Sequence, residues 1–313
     1  MRYFKYATKE KQVNLHPFVC WHVGAPQSDY EFINEAIARL AEDPYGLGVY
    51  MGDGGECVTK SSKGLIYEQT MAPQEQLNYL VDRLRPVREK LLFGVKGNHG
   101  WRTFKDSGLG FDESLCMALQ MPYLGTSAFW NLLVNRSSYD IFTHHGLDSG
   151  VATGTKVNKA KKLEEIVEAD VIMSAHSHIC MAIPPVRRAY IKDNKTGERS
   201  RINWRTTYGY ICGCAYDSRS GYAEDKGYPP ILPAHIVLSF DGHMQAKGRI
   251  NKEIRHQIHD VDANKDRRPN EEDVVSRMSS GGFQCAKHPT YFGRGRPASS
   301  CEACWRIYVS KHP

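Results

Sequence analysis

No stretch of this 313-residue sequence approaches the ~20 consecutive apolar residues of a membrane-spanning helix, so a membrane location is not expected. The opening residues, MRYFKYATKEKQ, lack the apolar segment of a secretory signal, and a cytoplasmic protein is expected. The nine cysteines are odd in number and most stand singly (Cys20, Cys57, Cys116, Cys180), which argues against a disulfide framework. Charge of one sign is also scarce. A net +6 permits contact with nucleic-acid phosphate but does not demand it. No internal repeat is visible, which sets repeat architectures aside. What remains is a chain of ordinary folded composition, long enough for one substantial domain with an appendage or for two modest domains.

Along the chain, short apolar runs alternate with amphipathic stretches. HPFVCWHV (16–23) reads as a strand, and DYEFINEAIARLAED (29–43) as a helix with Phe32, Ile33, Ala36, Ile37 and Leu40 on one face. LGVYMGD (47–53) reads as a second strand. PQEQLNYLVDRLRPVREK (73–90) is a long helical pattern that Pro86 kinks or divides. KLLFGVKGN, AFWNLLV, YDIFTHH and DVIMSAHSH read as further strands, and KVNKAKKLEEIVEA as a helix. After residue 180 the helical period gives way to β-rich pieces (AYIKD, RINWRTTYGYICG, AHIVLSF). The expected class is a layered α/β sheet, with a second sheet packed on the first and ligand sites at strand ends.

Metal-binding residue types stand at the ends of these strands in succession: His22, Asp53, Asn98 with His99, His144 with His145, and His176 with His178. Histidine, aspartate and asparagine suit divalent first-row metals. Side chains at the ends of several strands can converge outside one sheet edge. In an extended Ser-Ala-His-Ser-His, His176 and His178 point to the same side because the side-chain period is two. A lone histidine at a strand end is usually structural; five such ends in a row favour a metal site.

With these motifs in hand, residues 15–250 resemble the calcineurin-like metallophosphoesterases, and most of all members encoded by bacteriophages. That family carries Asp-x-His, Gly-Asp-x-x-Asp, Gly-Asn-His-Asp/Glu, a later His and Gly-His-x-His in this order. Here they read Cys20-Trp21-His22, Gly52-Asp53-Gly54-Gly55-Glu56, Gly97-Asn98-His99-Gly100, His144-His145-Gly146 and Ala175-His176-Ser177-His178. The resemblance implies a four-layer α/β/β/α sandwich and two divalent ions (zinc, manganese or iron). Asp53 would bridge them, with His22 and His178 on one ion and Asn98, His144 and His176 on the other; His145 remains an alternative to His144. It also implies His99 as general acid or transition-state stabiliser. Glu56 could orient His99 through its second N–H, and Arg102 is a candidate phosphate fork. A metal pair of this kind brings a bridging water toward a pKa of ~7 and offsets charge on the phosphoryl oxygens.

Cysteine at position 20 departs from the family's aspartate. A thiolate ligand there would favour zinc, whereas a packed thiol would leave one metal site weak or empty. Residues 252–282 read as a charged linker between a metallophosphoesterase domain (1–251) and a tail (283–313). In the tail, Cys285, His288, Cys301 and Cys304 have the spacing of a structural zinc ribbon, similar to small ribbons of phage proteins. Its Lys287, Arg294, Arg296, Tyr291 and Phe292 suit either nucleic-acid contact or the ribbon's own small core. The expected activity is hydrolysis of a phosphate ester, a phosphodiester ahead of a phosphomonoester of nucleotides or phosphoproteins. A nucleic-acid-binding protein with a decayed metal site is the rival. Neither natural substrate nor oligomeric state is legible.

Overall fold

The structure, a computed structural model, describes residues 1–62, 66–147, 150–192, 201–219, 224, 227–242 and 254–262, without the side chains of 190–192 and 201–203. All of these fall within the unit Met1–Lys265. The cysteine and histidine residues of the expected zinc ribbon lie outside the described residues.

Among the described residues, eleven strands belong to one sheet: β1 (Arg2–Thr8), β2 (Gln12–Phe18), β3 (Gly46–Tyr50), β4 (Leu91–Gly94), β5 (Ser127–Val134), β6 (Ser137–His144), β7 (Val171–Ser174), β8 (Cys180–Lys192), β9 (Arg201–Cys214), β10 (Ala234–Asp241) and β11 (Ile254–Asp260). Their order is β1-β5-β6-β7-β9-β10-β2-β3-β4, with β8 on β9 and β11 on β10. The two halves meet where Gly213 and Cys214 of β9 pair with His235 and Ala234 of β10. Among the described residues there are five α-helices: α1 (Tyr30–Glu42), α2 (Pro73–Leu84), α3 (Gly100–Ser107), α4 (Phe111–Ala118) and α5 (Thr153–Lys161).

Side-chain alternation divides the apolar residues into separate cores. Trp130, Leu132, Tyr139, Ile141, Val171, Met173 and Tyr210 of one half-sheet pack against Val13, Leu15, Val49, Phe93, Ile236 and Leu238 of the other. The opposite face of β2–β4 carries Phe18, Tyr50 and Leu91 against α1, α2 and α4. On the outer face of the first half, Phe142 and Ile172 pack with Leu163, and Ile183 and Ile211 pack with Ala160 of α5. The sheet is therefore folded over on itself with helices outside both halves.

The helices start where local chemistry permits. Asp29 caps α1 by accepting the Phe32 N–H at 2.8 Å. In α2, Pro73 occupies the first turn and the Glu75 carboxylate accepts the Ala72 N–H at 2.7 Å. α2 ends at Leu84 and continues as a 3-10 turn, Arg85–Lys90, because Pro86 has no N–H for the ladder.

Three features differ from expectation. The run 16–23 leaves the sheet at Phe18, because Cys20 and His22 take up left-handed conformations with φ of 50° and 49°. The N-terminal residues form β1, which pairs in parallel with β5 and sets Phe4 and Tyr6 against the central core. The segment expected to begin a linker at 252 opens with β11, an edge strand whose Ile254–Asp260 pair antiparallel with β10.

Candidate metal centre

The strand-end residues gather at the carboxyl ends of β2, β3, β4, β6 and β7. Beyond the strands, backbone bonds continue the pairing: Cys20 N–H donates to the Gly52 carbonyl (3.1 Å), His22 N–H to that of Asp53 (3.0 Å) and Ala175 N–H to that of His145 (2.8 Å). Cys20, His22, Asp53, His176 and His178 all have φ between 49° and 66°. Each such non-glycine conformation costs on the order of 1–3 kcal/mol and persists where its surroundings fix it; such strain clusters at functional sites.

Two glycines let the loops approach. A Cβ on Gly52 would sit 2.4 Å from the Gly97 nitrogen, and one on Gly97 would sit 2.1 Å from Asp53 Oδ1. The β3 and β4 loops thus pass back to back, and His99 N–H donates to Asp53 Oδ1 at 2.7 Å.

On one side of Asp53 stands His145. Its Nδ1 donates to the Met51 carbonyl at 2.7 Å, a bond that fixes the ring. Its Nε2 faces Asn98 Oδ1 at 3.0 Å and Asp53 Oδ2 at 2.8 Å. Asp53 Oδ2 is buried, and Asn98 Oδ1 and Asp53 Oδ2 share the one ring nitrogen, His145 Nε2. Burial works against the Asp53 charge, but His145, His99 and His22 hold its carboxyl well below the ordinary range. The ring of His176 lies 5.4 Å from that of His145.

On the other side, His22 Nε2 and His178 Nε2 face each other at 3.0 Å, and His22 Nδ1 donates to Glu56 Oε2 at 2.8 Å. Burial keeps both imidazoles neutral by lowering their pKa values. Cys20 lies between the two sides. Its Sγ is within 4.8 Å of ligand atoms of His22 and His178, and also of Asp53 and His145; His22, Asp53 and His99 form a third such group. Burial, followed by the Asp53 charge, pushes the Cys20 thiol well up.

Of the two neighbouring histidines the sequence left open, the structure brings His145, not His144, to Asp53 and Asn98. In β6, Tyr139, Ile141 and Thr143 face the inter-sheet core, and His145 continues that side; His144 shares the opposite face with Phe142. His144 Nδ1 instead accepts the Gly146 N–H at 2.9 Å, and burial beside His145 and His176 pushes its pKa down to about 4.

Glu56 ties the outer residues together. Its carboxylate meets His22, His99 Nδ1 at 3.1 Å and Arg102 Nη1 at 2.8 Å. Despite burial, the bonds from His22 and His99 hold it far below the usual carboxylate range. Arg102 Nη2 stands 3.2 Å from His99 Nε2.

Asp112 is a site residue that sequence reading missed. Its Oδ1 accepts from the Tyr50 hydroxyl at 2.5 Å and its Oδ2 from Gly97 N–H at 3.0 Å. Tyr50 in turn accepts the Gly54 N–H at 2.9 Å. One buried carboxylate thereby braces the loops that carry both Asp53 and Asn98. Tyr216 is a second omission, its ring centroid 5.4 Å from that of His22 and 5.5 Å from that of His178.

No protein-family model matches the chain, and no curated protein matches it in sequence. Several solved structures are similar. Vacuolar protein sorting 29 of Cryptosporidium parvum aligns at a TM-score of 0.38 and 11% identity, over 80% of this chain and 100% of that one. A metallophosphoesterase of Sphaerobacter thermophilus aligns at 0.38 and 12%, over 86% and 99%. A predicted phosphoesterase of Streptococcus pneumoniae aligns at 0.33 and 12%, over 74% and 84%. Scores this low do not place the chain in a family, and the functional reading stands on the site itself.

Proposed function

We propose that this chain is a metal-dependent hydrolase of phosphate esters, acting on phosphodiesters at a dinuclear centre. The observation that carries this reading is the buried convergence of ligand atoms around Asp53: His145 Nε2 at 2.8 Å from its Oδ2 and 3.0 Å from Asn98 Oδ1, with His22 Nε2 and His178 Nε2 facing each other at 3.0 Å and Cys20 Sγ within reach of both groups. Carboxylate, amide, imidazole and thiol atoms buried this close together are suited to share a cation. The donor set suits one: Asp53, Asn98, His145 and His176 would hold one ion, and Asp53, His22, His178 and Cys20 the other, with nitrogen and sulfur favouring zinc or iron over manganese. When bound, the ions supply Lewis acidity toward the phosphoryl oxygens and a hydroxide at neutral pH.

The remaining residues act on protons and position. Glu56 orients His22 and His99 through their Nδ1 atoms. Arg102, which only donates, faces His99 Nε2; its transfer to a phosphate oxygen frees that nitrogen to take up a proton from solvent and pass it to the leaving group. Asp112 and the two close-packed glycines hold the loops in register. In the tail, we propose that Cys285, His288, Cys301 and Cys304 hold one structural zinc.

Metal content of protein purified without added metal, measured together with turnover of bis(p-nitrophenyl) phosphate and of the monoester, tests the reading. Three equivalents per chain and chelator-sensitive diesterase activity support it. Monoesterase activity alone would move the substrate class. One equivalent, with no turnover on adding manganese or zinc, would instead favour the nucleic-acid-binding alternative.

A further inference from the structure

Beside the proposed metal centre, a cavity of about 230 Å³ is lined by Arg2, Lys96, Trp101, Phe104 and Glu113, with Asp112 in its wall; of these side chains the proposed function uses only Asp112, as a brace. We propose that this cavity is a subsite for one nucleobase and its flanking phosphate, which makes the substrate a nucleotide ester; the inference rests on the phosphoesterase reading for its catalytic part only.

Trp101 and Phe104 sit one turn apart on α3 with their rings stacked, 4.1 Å between centroids at 14°. Phe104 remains 38% exposed. Phe104, backed by Trp101, presents a solvent-open face on which another ring can stack. The ammonium of Lys96 lies 4.1 Å from the Trp101 ring centroid, and the Arg2 guanidinium is held at the cavity by a 2.8 Å bond from Nη1 to the Tyr123 carbonyl. Aromatic rings interleaved with cations are how proteins grip single-stranded nucleotides without reading sequence. Glu113 adds an acceptor for a base N–H, such as thymine N3–H.

Size and place agree with this ligand. At 230 Å³ the cavity is smaller than the roughly 300–1,000 Å³ of pockets that enclose a whole drug-sized ligand. It suits one ring system with the rest of the molecule outside. Lys96 and Gly100 in its wall flank Asn98 and His99, so the cavity shares a backbone segment with the proposed centre.

Binding and turnover test this separately. Thymidine 5′-monophosphate is titrated calorimetrically into chelator-treated full-length protein, with inorganic phosphate as the comparison. The nucleotide should bind more tightly than phosphate, and Trp101→Ala and Phe104→Ala should each weaken it roughly tenfold to a hundredfold. With manganese restored, kcat/KM is measured for the p-nitrophenyl esters of thymidine 5′-phosphate and of methyl phosphate. The ratio of the two should fall at least tenfold in both variants. Phe104 is exposed, so its variant keeps the test open should Trp101→Ala misfold. Equal binding of phosphate and nucleotide, or an unchanged ratio in Phe104→Ala, overturns the subsite. If neither ester is turned over while the nucleotide still binds through Trp101, the phosphoesterase reading fails and the subsite stands.

Discussion

Replacing Asp112 by asparagine tests how the centre is braced. Asp112 is 2% exposed, and burial raises its pKa from an ordinary 3.8 to about 6, against the opposing bonds from Tyr50 and Gly97 and with help from the Asp53 charge. A folded-state pKa above the unfolded one means that the native protein binds the proton more tightly. The associated stability is present in full below pH 3.8 and is lost as pH rises through 6. The shift, 6 − 3.8, corresponds to about 3 kcal/mol at 1.36 kcal/mol per unit, of which about 1.4 kcal/mol is lost between pH 5 and 7.5. Asparagine does not titrate, and its amide cannot accept from both Tyr50 and Gly97. Urea unfolding of chelator-treated wild type and Asp112→Asn at pH 5 and 7.5 measures the gap between them. The variant should be the less stable at pH 5, by an amount that shrinks by about 1.4 kcal/mol at pH 7.5. A gap that stays constant, or widens, with rising pH would refute the reasoning.

His145→Ala should remove one active-site metal equivalent and abolish diesterase turnover, whereas His144→Ala should keep both; elemental analysis of the two variants decides between neighbouring rings. Cys20→Ser should lower metal content at the His22–His178 side, and Cys20→Asp should restore it with a shift in preference from zinc toward manganese, read from activity against added metal. Full metal and full activity in Cys20→Ser would remove the thiol from the ligand set. Gly97→Ala would place a Cβ 2.1 Å from Asp53 Oδ1, and turnover should fall by roughly 10–100-fold or more with the fold intact by circular dichroism.

What could be read ahead of the structure followed the range of the physical signal. α1 and α2 were legible because a helix declares itself within its own residues, by apolar spacing, by Asp29 at one start and by Pro86 at one end. The site's strand ends were legible for the same reason, each being a polar residue that closes an apolar run. β1 was not, because RYFKYAT has meaning only against β5, more than a hundred residues away. β11 was hidden likewise: its exposed, charged side is that of an edge strand. The choice between His144 and His145 turns on which face of β6 is inward, and both faces of that strand are apolar. Asp112 carries no motif at all; only the approach of α4 to Tyr50 and Gly97 gives it work. Cys20 lies at the limit of both kinds of reading. Sequence shows a sulfur where the resembled family has a carboxylate, and structure places that sulfur within reach of both ligand groups. Burial holds a thiol protonated, while a cation at the same point would take its proton, so its role is decided by which of the two occupies the site.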